Sequence, residues 1–340
     1  MENVVPLTEK VTYGVASTAV VDSISPRWGA VQGGTTVTFE GRNFGNVLAD
    51  ISVTLDDVPC VVTSVIDTQV VCTTGQRTGS WDEDPKVVIT KSGGGNVALQ
   101  DNVYRYCNLW SEGATWGQLP PIDGESVAVP TGLCLLVDIK NSPKLKLVQV
   151  DGGALIFPDN VDPNYHATFD AQYINIRKGV MEVGTEKEPY NSKLTITMHG
   201  EKTDPAVPIF GKKSIGVSYG TLDIHGKRKL SWTDLDDTVL AGANQLTLVE
   251  VVDWSIGDKI MITSTDYDQD QAEFGIITGI SDDGSKSTIT IDTPLQNKHY
   301  AGSETYPHAT GSDVLTMRAE VCNMSRNIIF RGDPETSATN

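Results

Sequence analysis

Cationic residues are scarce in this sequence, and it has no long apolar run. The 340 residues include 26 Lys and Arg against 44 Asp and Glu, a formal net charge of −18. Phosphate contacts need a surplus of Lys and Arg, so this balance argues against binding to nucleic acid or to an anionic membrane surface. No apolar run approaches the roughly 20 residues that cross a bilayer. We therefore expect no nucleic-acid partner and no membrane contact by this part of the chain.

Familiar catalytic signatures are also missing. The patterns HExxH and CxxC do not occur, and no glycine-rich loop precedes a helix in a way that would cradle phosphate. The sequence has only five histidines. These absences exclude the common zinc, redox and nucleotide-binding signatures.

The N-terminal residues MENVVPLTEK lack the basic flank and the apolar stretch of a signal peptide. Residues 1–17 are typical of the tail of a preceding module and a linker. We therefore expect Met1 to be an internal point of a longer chain.

Stretches rich in Ala, Leu, Glu and Lys are few, whereas β-branched residues and 32 glycines run through the whole length, so strands and turns are favoured. The length suits two domains. Residues 18–106 contain short alternating runs such as TTVTFEG, ISVTLDD and KVVITK, separated by glycine, Asn and Asp turns. This pattern predicts a β-sandwich.

Cys60 and Cys72 lie in two of these strand-like runs, VPCVV and TQVVCTT, on either side of a short polar turn. The placement fits a disulfide across a hairpin or between sheets, and it also fits a pair of buried free thiols.

The stretch SISPRWGAVQGGTTVTFEGRNFG, followed by the two cysteines, resembles an IPT/TIG domain, the Ig-like fold of plexins and fibrocystin-type receptors. The resemblance covers nearly all of residues 18–106. Its turns are fitted by Gly33, Gly34, Gly41 and Gly45. It implies a Cys60–Cys72 disulfide and an extracellular or cell-surface location.

A pattern of strand, glycine turn and strand recurs three times after Cys107: VQVDGGALIF, INIRKGVMEVG and IGVSYGTLDIHG, with turns at Gly153, Gly179 and Gly220. One such unit cannot bury its own apolar face, so the repetition predicts stacked rungs of a solenoid. Glycine is expected at the corners because a tight bend needs a positive φ or a close backbone approach.

The stretch from about Trp110 to Thr265 resembles the eight-glycine domain of fibrocystin and its relatives and of cell-surface hyaluronan-degrading proteins. The residues that carry the resemblance are Trp110, Trp116, the GESVAVPTG strand, Gly153, Gly179, Gly184, Gly200, Gly220, Gly226 and the segment DWSIGDKIMITSTDYD. It implies a right-handed parallel β-helix. The tail MRAEVCNMSRNIIFRGD resembles the next rungs of that helix.

The expected organisation is therefore all-β, with an Ig-like sandwich followed by a right-handed parallel β-helix. The expected boundaries are residues 1–17 for the tail of a preceding module, 18–106 for the IPT/TIG domain, 107–270 for the β-helical eight-glycine domain, and 271–340 for a continuation of the β-helix.

Four acidic residues are candidate calcium ligands: Asp266, Asp268, Asp270 and Glu273. Alternating carboxylates are how loops collect hard cations, and the three Asp side chains would point the same way if the stretch were extended. The alternative is a solvated polar edge. No other metal or cofactor is expected.

Lys227, Arg228 and Lys229 form a dense positive cluster, as do Lys212 and Lys213. Aligned on neighbouring rungs, these residues could contact an anionic glycan; the alternative is that they are ordinary loop tips.

Asp223 and His225 are spaced to share one face of a strand, where they could act as an acid–base pair or only decorate a rung. Four tryptophans, Trp110, Trp116, Trp232 and Trp254, could stack on sugar rings, but tryptophans in such motifs usually pack and cap the solenoid.

Asn323 begins an Asn-Met-Ser glycosylation sequon inside a predicted rung. Three further cysteines allow one more bridge, for which Cys107 and Cys134 are the best candidates. Cys322 is then left unpaired or faces a residue outside this chain.

Three functions remain open. The favoured one is a non-catalytic recognition or scaffold region of a fibrocystin-like cell-surface protein that binds a glycan or an extracellular protein. The second is the N-terminal part of a hyaluronidase-like enzyme that cleaves an anionic polysaccharide, with Asp223, Asp266 and Asp268 as candidate carboxylates. The third is a calcium-dependent adhesion site.

Overall fold

The computed structural model describes residues 18–78, 85–93, 95–99, 104–117, 119–160, 162 and 164–337. The expected tail at residues 1–17 lies outside this range. The chain divides into two compact units: the first comprises Met1–Glu188, Leu194–Ile224 and Phe330–Asn340, and the second comprises Pro189–Lys193 and His225–Ile329. Strands dominate the described residues, which confirms the all-β prediction.

The first unit begins with nine short strands and one 3₁₀ turn (Leu48–Asp50). The strands are β1 (Val20–Ser25), β2 (Trp28–Ala30), β3 (Thr36–Arg42), β4 (Ile51–Leu55), β5 (Val58–Ile66), β6 (Gln69–Thr74), β7 (Val87–Lys91), β8 (Gly95–Asn96) and β9 (Ala98–Leu99). Eight of them form one sheet in the order β8-β7-β4-β5-β6-β3-β1-β9, antiparallel apart from the β1–β9 pair. Alternate residues bury one apolar core, in which Ile24, Phe39, Leu55 and Ile89 are fully buried.

The Cys60–Cys72 disulfide bridges the β5–β6 hairpin inside this core. A second disulfide joins Cys107 to Cys134, and Cys322 is free. The predicted hairpin bridge is therefore present, and so is the proposed pairing of Cys107 with Cys134.

The first unit continues with ten further strands, nine of which pair in parallel. They are β10 (Arg105–Leu109), β11 (Ser126–Pro130), β12 (Cys134–Leu136), β13 (Asn141–Asp151), β14 (Ala154–Phe157), β15 (His166–Arg177), β16 (Val180–Val183), β17 (Lys193–Met198), β18 (Ser214–Ser218) and β19 (Thr221–Ile224), with the short helix α1 (Gly113–Trp116) after β10. One sheet has the order β2-β10-β12-β14-β16-β19, and a second has the order β11-β13-β15-β17 with β18 also on β15.

The three sequence repeats stack in register. Val148 pairs with Ile174, and Ile174 pairs with Ile215; beyond the corner, Leu155 pairs with Met181, and Met181 with Leu222. An earlier turn of the same kind, β11–β12, was not identified from the sequence, although SVAVPTGLCLL has the same alternation around a glycine.

The corner glycines stack on one another through close backbone contact. A Cβ at Gly179 would lie 2.6 Å from the carbonyl oxygen of Gly153, and a Cβ at Gly220 would lie 2.7 Å from the carbonyl oxygen of Gly179. The same two carbonyls accept the N–H groups of Val180 and Thr221 at 2.9 Å. None of the three glycines has a positive φ, so close approach is the reason for glycine here.

The sandwich and the parallel strands share one sheet. Strand β2 pairs in parallel with β10, which pairs in turn with β12. The Trp28 side chain of β2 packs against the apolar cluster that contains Cys107 and Cys134. Arg105 of β10 also forms a 2.9 Å ion pair with the buried Glu182 of β16.

The second unit contains β20 (Trp232–Asp234), β21 (Gln245–Leu248), β22 (Lys259–Ile262), β23 (Glu273–Asp282), β24 (Ser287–Ile291), β25 (Ala301–His308), β26 (Gly311–Arg318) and β27 (Glu320–Asn323), with a 3₁₀ turn at Gln269–Gln271. Strand β28 (Ile328–Gly332) follows and leads into helix α2 (Pro334–Ser337) of the first unit, where the chain joins the sheet of β17.

Six of these strands form a closed antiparallel sheet in the order β20-β27-β22-β23-β24-β21. The N–H of Val249 donates to the Asp234 carbonyl at 3.0 Å, and the N–H of Asp236 donates to the Thr247 carbonyl at 2.8 Å. These bonds join the first strand to the last, so the sheet closes into a small barrel around an apolar core. Strands β25 and β26 form a separate hairpin.

The second unit corrects the expectation of parallel rungs. Residues 271–340 were expected to continue the β-helix, and the strands of residues 232–262 were included in it, but β20 to β27 pair antiparallel. The physical reason is the length of the connections: β23 and β24 are joined by Asp283–Lys286. Connections this short allow antiparallel pairing, whereas a parallel crossover needs about a dozen residues.

We predict that Gly179→Ala lowers the free energy of unfolding of the first unit by about 2 kcal/mol, because the added methyl group meets a backbone carbonyl that cannot move away. The measurement is urea unfolding followed by circular dichroism. Gly279→Ala is the matched control, since its Cβ would meet only Thr290 at 3.6 Å, an ordinary contact. Equal stability of both variants would contradict the close-contact explanation.

Candidate functional site

Two carboxylates enclose a histidine on the solvent face of the sheet that contains β13, β15 and β17. His199 Nε2 lies 2.7 Å from Asp170 Oδ1, and His199 Nδ1 lies 2.7 Å from Asp333 Oδ2. Lys144 Nζ lies 3.8 Å from the same oxygen of Asp333. The side chains of Asp333 and His199 are only 7% and 13% exposed, so water screens this group weakly.

Strand pairing brings these residues together from distant parts of the sequence. Asp170 lies opposite Lys144 in the parallel pairing of β15 with β13. His199 follows β17, and its N–H donates to the Ala171 carbonyl at 2.9 Å. Asp333 follows β28, and its N–H donates to the Met198 carbonyl at 2.9 Å. Each side chain is thus fixed by a backbone bond to its neighbouring strand.

The hydrogen-bond pattern occupies both sides of the imidazole. Each ring nitrogen of His199 lies at hydrogen-bond distance from a carboxylate oxygen, one of Asp170 and one of Asp333. Neither nitrogen is left free for a substrate. His199 holds two carboxylates together, which favours a binding or structural role over general base catalysis.

Asp333 is held in its ionised form. The N–H of Glu335 donates to Asp333 Oδ1 at 3.0 Å, and this bond is the main cause that lowers the pKa of Asp333. Burial acts in the opposite direction, and the hydrogen bond from His199 and the charges of His199 and Lys144 add to the lowering.

A cleft of about 370 Å³ opens beside the cluster. It is lined by His199 together with Lys144, Lys146, Gln172, Glu201 and Asp204, among other residues. Lys144 and Lys146 alternate with the buried Leu145 on β13, so they share its solvent face. The cleft offers amide, ammonium and carboxylate groups to a polar ligand.

Gly200 shapes the wall of the cleft. Its φ is +116°, and a Cβ there would lie 3.0 Å from Asp204 Oδ2 and 3.1 Å from Gln172 Cγ. Only glycine therefore lets the chain turn directly after His199.

This cluster was not found from the sequence. His199 is separated from Asp170 by 29 residues and from Asp333 by 134, and no motif links them. The one available signal was the His-Gly pair at the end of an alternating strand.

The four candidate calcium ligands are not brought together. The stretch is not extended, because it turns at Gln269–Gln271. Asp268 accepts the N–H of Asp270 at 3.0 Å, and Glu273 accepts the N–H groups of Gln296 and Asn297 at 2.7 Å. Within the described ranges no group of three or more His, Cys, Asp or Glu could hold a metal ion.

The cluster Lys227, Arg228 and Lys229 does not present three available charges. Lys229 Nζ lies 2.6 and 2.8 Å from the two oxygens of Asp258, and its side chain is 13% exposed. Burial alone would raise the pKa of Asp258, but hydrogen bonds from Lys229, from the Ser255 N–H and from Asn323 hold it below its usual value. Contact of this cluster with an anionic glycan stays a prediction. Lys229 could take part in such a contact only if its bonds to Asp258 were broken.

Asn323 is buried, and its side-chain nitrogen donates to Asp258 at 2.9 Å. Glycosylation at this sequon stays a prediction, and it requires that bond to be broken.

Asp223 lies on β19, opposite Glu182 of β16, and His225 follows the end of that strand. Asp266 precedes the 3₁₀ turn of the second unit, where its Oδ1 accepts the N–H of Tyr267 at 2.7 Å.

Two domain families match this chain. An IPT/TIG domain matches residues 19–106, and a G8 domain matches residues 115–236. The chain therefore carries an IPT/TIG domain, with an Ig-like fold, followed by a G8 domain, which confirms the resemblance read from the sequence.

The chain is also similar to parts of fibrocystin-L and fibrocystin. Human fibrocystin-L is 33% identical to this chain over 335 residues, and mouse fibrocystin-L is 35% identical over 332 residues, which is 97% and 96% of this chain. Mouse fibrocystin is 30% identical over 72% of the chain. The chain spans 8% of the length of each fibrocystin-L and 6% of fibrocystin.

Helices that could cross a membrane were not found among the described residues.

We predict that His199→Ala lowers the free energy of unfolding by about 2 kcal/mol, because Asp170 and Asp333 lose the donor that they share. Chemical denaturation measures the change. His308→Ala is the control, because that side chain is 45% exposed and its replacement should cost less than about 0.5 kcal/mol. A His199→Ala protein as stable as the wild type would show that the cluster contributes nothing.

We also predict how acid acts on Asp333. Its pKa is lowered in the folded state, so its contribution to stability is present above the unfolded value near about 4 and is lost as the pH falls through the folded pKa. Asp333→Asn should be less stable than the wild type at neutral pH, and the gap should shrink below about pH 4. Denaturation midpoints across the acid range measure it; a gap that does not change with pH would contradict the assignment.

Proposed function

We propose that this chain is an extracellular recognition and scaffold region of a larger cell-surface protein, and that it acts by binding a glycan or protein ligand rather than by catalysis. The observation that carries the proposal is the parallel pairing of β2 with β10 and of β10 with β12. It joins the IPT/TIG domain to the G8 strands of the first unit through one sheet.

Covalent and ionic contacts reinforce the joint. The Cys107–Cys134 disulfide connects β10 to β12, and the Arg105–Glu182 ion pair connects β10 to β16. Arg27 lies 3.6 Å from Glu188 in the same unit. A hinge between the two domains would need these contacts to break. A rigid joint suits a spacer or a recognition surface.

We also infer that the two parallel sheets of the first unit are sides of a right-handed parallel β-helix. The stacked corner glycines and the in-register pairs between successive repeats support this inference. The proposed domain boundary lies near residues 106–107, where β10 leaves the sandwich.

An extracellular location is supported by two disulfides in a chain with five cysteines, since such bonds persist in oxidising compartments. The similarity to part of fibrocystin-L supports the cell-surface assignment. The expected partners are a glycan or an extracellular protein, together with neighbouring modules of the longer protein.

The test is binding of the oxidised chain to arrays of glycans and extracellular proteins, with and without calcium. We expect a specific ligand whose affinity falls at least about tenfold in the double variant Lys146→Ala/Gln172→Ala, which removes two cleft groups. Lys86→Ala, in the IPT/TIG domain away from the cleft, is the matched control and should bind as the wild type does.

A hyaluronan depolymerisation assay runs beside the arrays. We expect no release of fragments. Cleavage by the purified chain, lost in the triple variant Asp223→Asn/Asp266→Asn/Asp268→Asn, would overturn the non-catalytic proposal and favour the polysaccharide-cleaving alternative.

A further inference from the structure

A second cavity lies in the second unit, at the seam where the barrel closes. Its volume is about 620 Å³, and its lining includes Trp232, Thr233 and Asp234 of β20 and Val249 and Glu250, which follow β21. The bond from the Val249 N–H to the Asp234 carbonyl marks one end of the seam. The mouths and openings of small barrels are frequent ligand sites, because strand ends there leave a concave surface.

Trp232 is available for contact. Its side chain is 52% exposed, and no hydrogen bond holds its indole nitrogen among the residues that the structure describes. Trp254, in the same unit, is 6% exposed and donates its indole N–H to the Leu230 carbonyl at 2.7 Å. Trp254 is therefore a packing residue, whereas Trp232 offers an open aromatic face beside a cavity.

The charged groups at the cavity are mostly acidic. Asp234 and Glu250 line it, and neither side chain forms an ion pair within the described part of the chain. Lys229 also lines it, but its charge is matched by Asp258. The guanidinium of Arg326 reaches Ser231 Oγ at 3.3 Å and donates to the carbonyls of Asn323 and Ser325. Two uncompensated carboxylates against one cation at the edge repel an anionic ligand.

We propose that this cavity binds an uncharged pyranose unit of a glycan. The apolar C–H face of the ring stacks on Trp232, and its hydroxyl groups donate to the carboxylates of Asp234 and Glu250. An aromatic face gives such a ring apolar contact, and carboxylates accept its hydroxyl protons. The site goes beyond the proposed function, because it lies in the second unit and does not depend on the cleft at His199.

The test is calorimetric titration of the whole oxidised chain with four neutral hexasaccharides and one anionic hexasaccharide. The neutral probes are β-linked glucose, α-linked glucose, α-linked mannose and β-linked N-acetylglucosamine oligomers, and the anionic probe is a hyaluronan oligomer. We expect at least one neutral probe to bind more tightly than hyaluronan and to shift the tryptophan fluorescence of the wild type to the blue.

Trp232→Ala should weaken the neutral probe by at least about tenfold and abolish the fluorescence shift. Tyr267→Ala is the matched control, because it removes another exposed aromatic side chain of the same unit and should leave binding unchanged. Glu250→Lys, a change at an exposed residue, should strengthen hyaluronan binding and keeps the test decisive if Trp232→Ala fails to fold.

Three results would overturn the proposal: no neutral probe binds, hyaluronan binds the wild type most tightly, or Trp232→Ala binds the neutral probe as the wild type does. A ligand lost only in the Lys146→Ala/Gln172→Ala variant would leave the proposed function standing without this second site.

Discussion

In-register stacking of parallel strands at glycine corners is the constraint on which the first unit depends. The carbonyls of Gly153 and Gly179 accept hydrogen bonds from the N–H groups of Val180 and Thr221. Each carbonyl also lies where a Cβ on the next corner glycine would clash with it. Any side chain at a corner would push successive turns apart and change the register. The joint to the IPT/TIG domain obeys the same rule, since β2 and β10 extend one of the parallel sheets. The joint within the first unit thus follows from backbone geometry.

The cleft at His199 is a consequence of this register. Parallel pairing places every second side chain of β13 and β15 on one solvent face, so Lys144 and Asp170 become neighbours although 26 residues separate them. His199 then joins Asp170 to Asp333 and ties the end of β28 to the sheet. A histidine used in this way stabilises a surface and leaves no nitrogen for acid–base chemistry. The cluster therefore supports recognition more than turnover.

Sequence reasoning worked where the signal was local and periodic. The three repeats, their glycine corners and the Cys60–Cys72 bridge all depend on short-range alternation, and all are present. It failed where the outcome depended on chain connections or on distant partners. The antiparallel barrel follows from short hairpins that the repeat pattern does not encode, and Asp333 reaches His199 only after the chain returns to the first sheet. Acidic spacing alone did not gather Asp266 and Asp268 into a site, because each caps a nearby backbone N–H.

The distribution of charge decides which ligands this chain can accept. The chain has 26 cationic side chains against 44 acidic ones. A cation that is already paired with a carboxylate is not available to bind an anionic ligand. Arg105 and Lys229 are committed in this way, to Glu182 and to Asp258. The carboxylates left over make the surface acidic, and a polyanion would compete with Glu182 and Asp258 for these two cations. Uncharged glycans and basic or neutral protein surfaces carry no such penalty, so the composition itself favours recognition of neutral ligands.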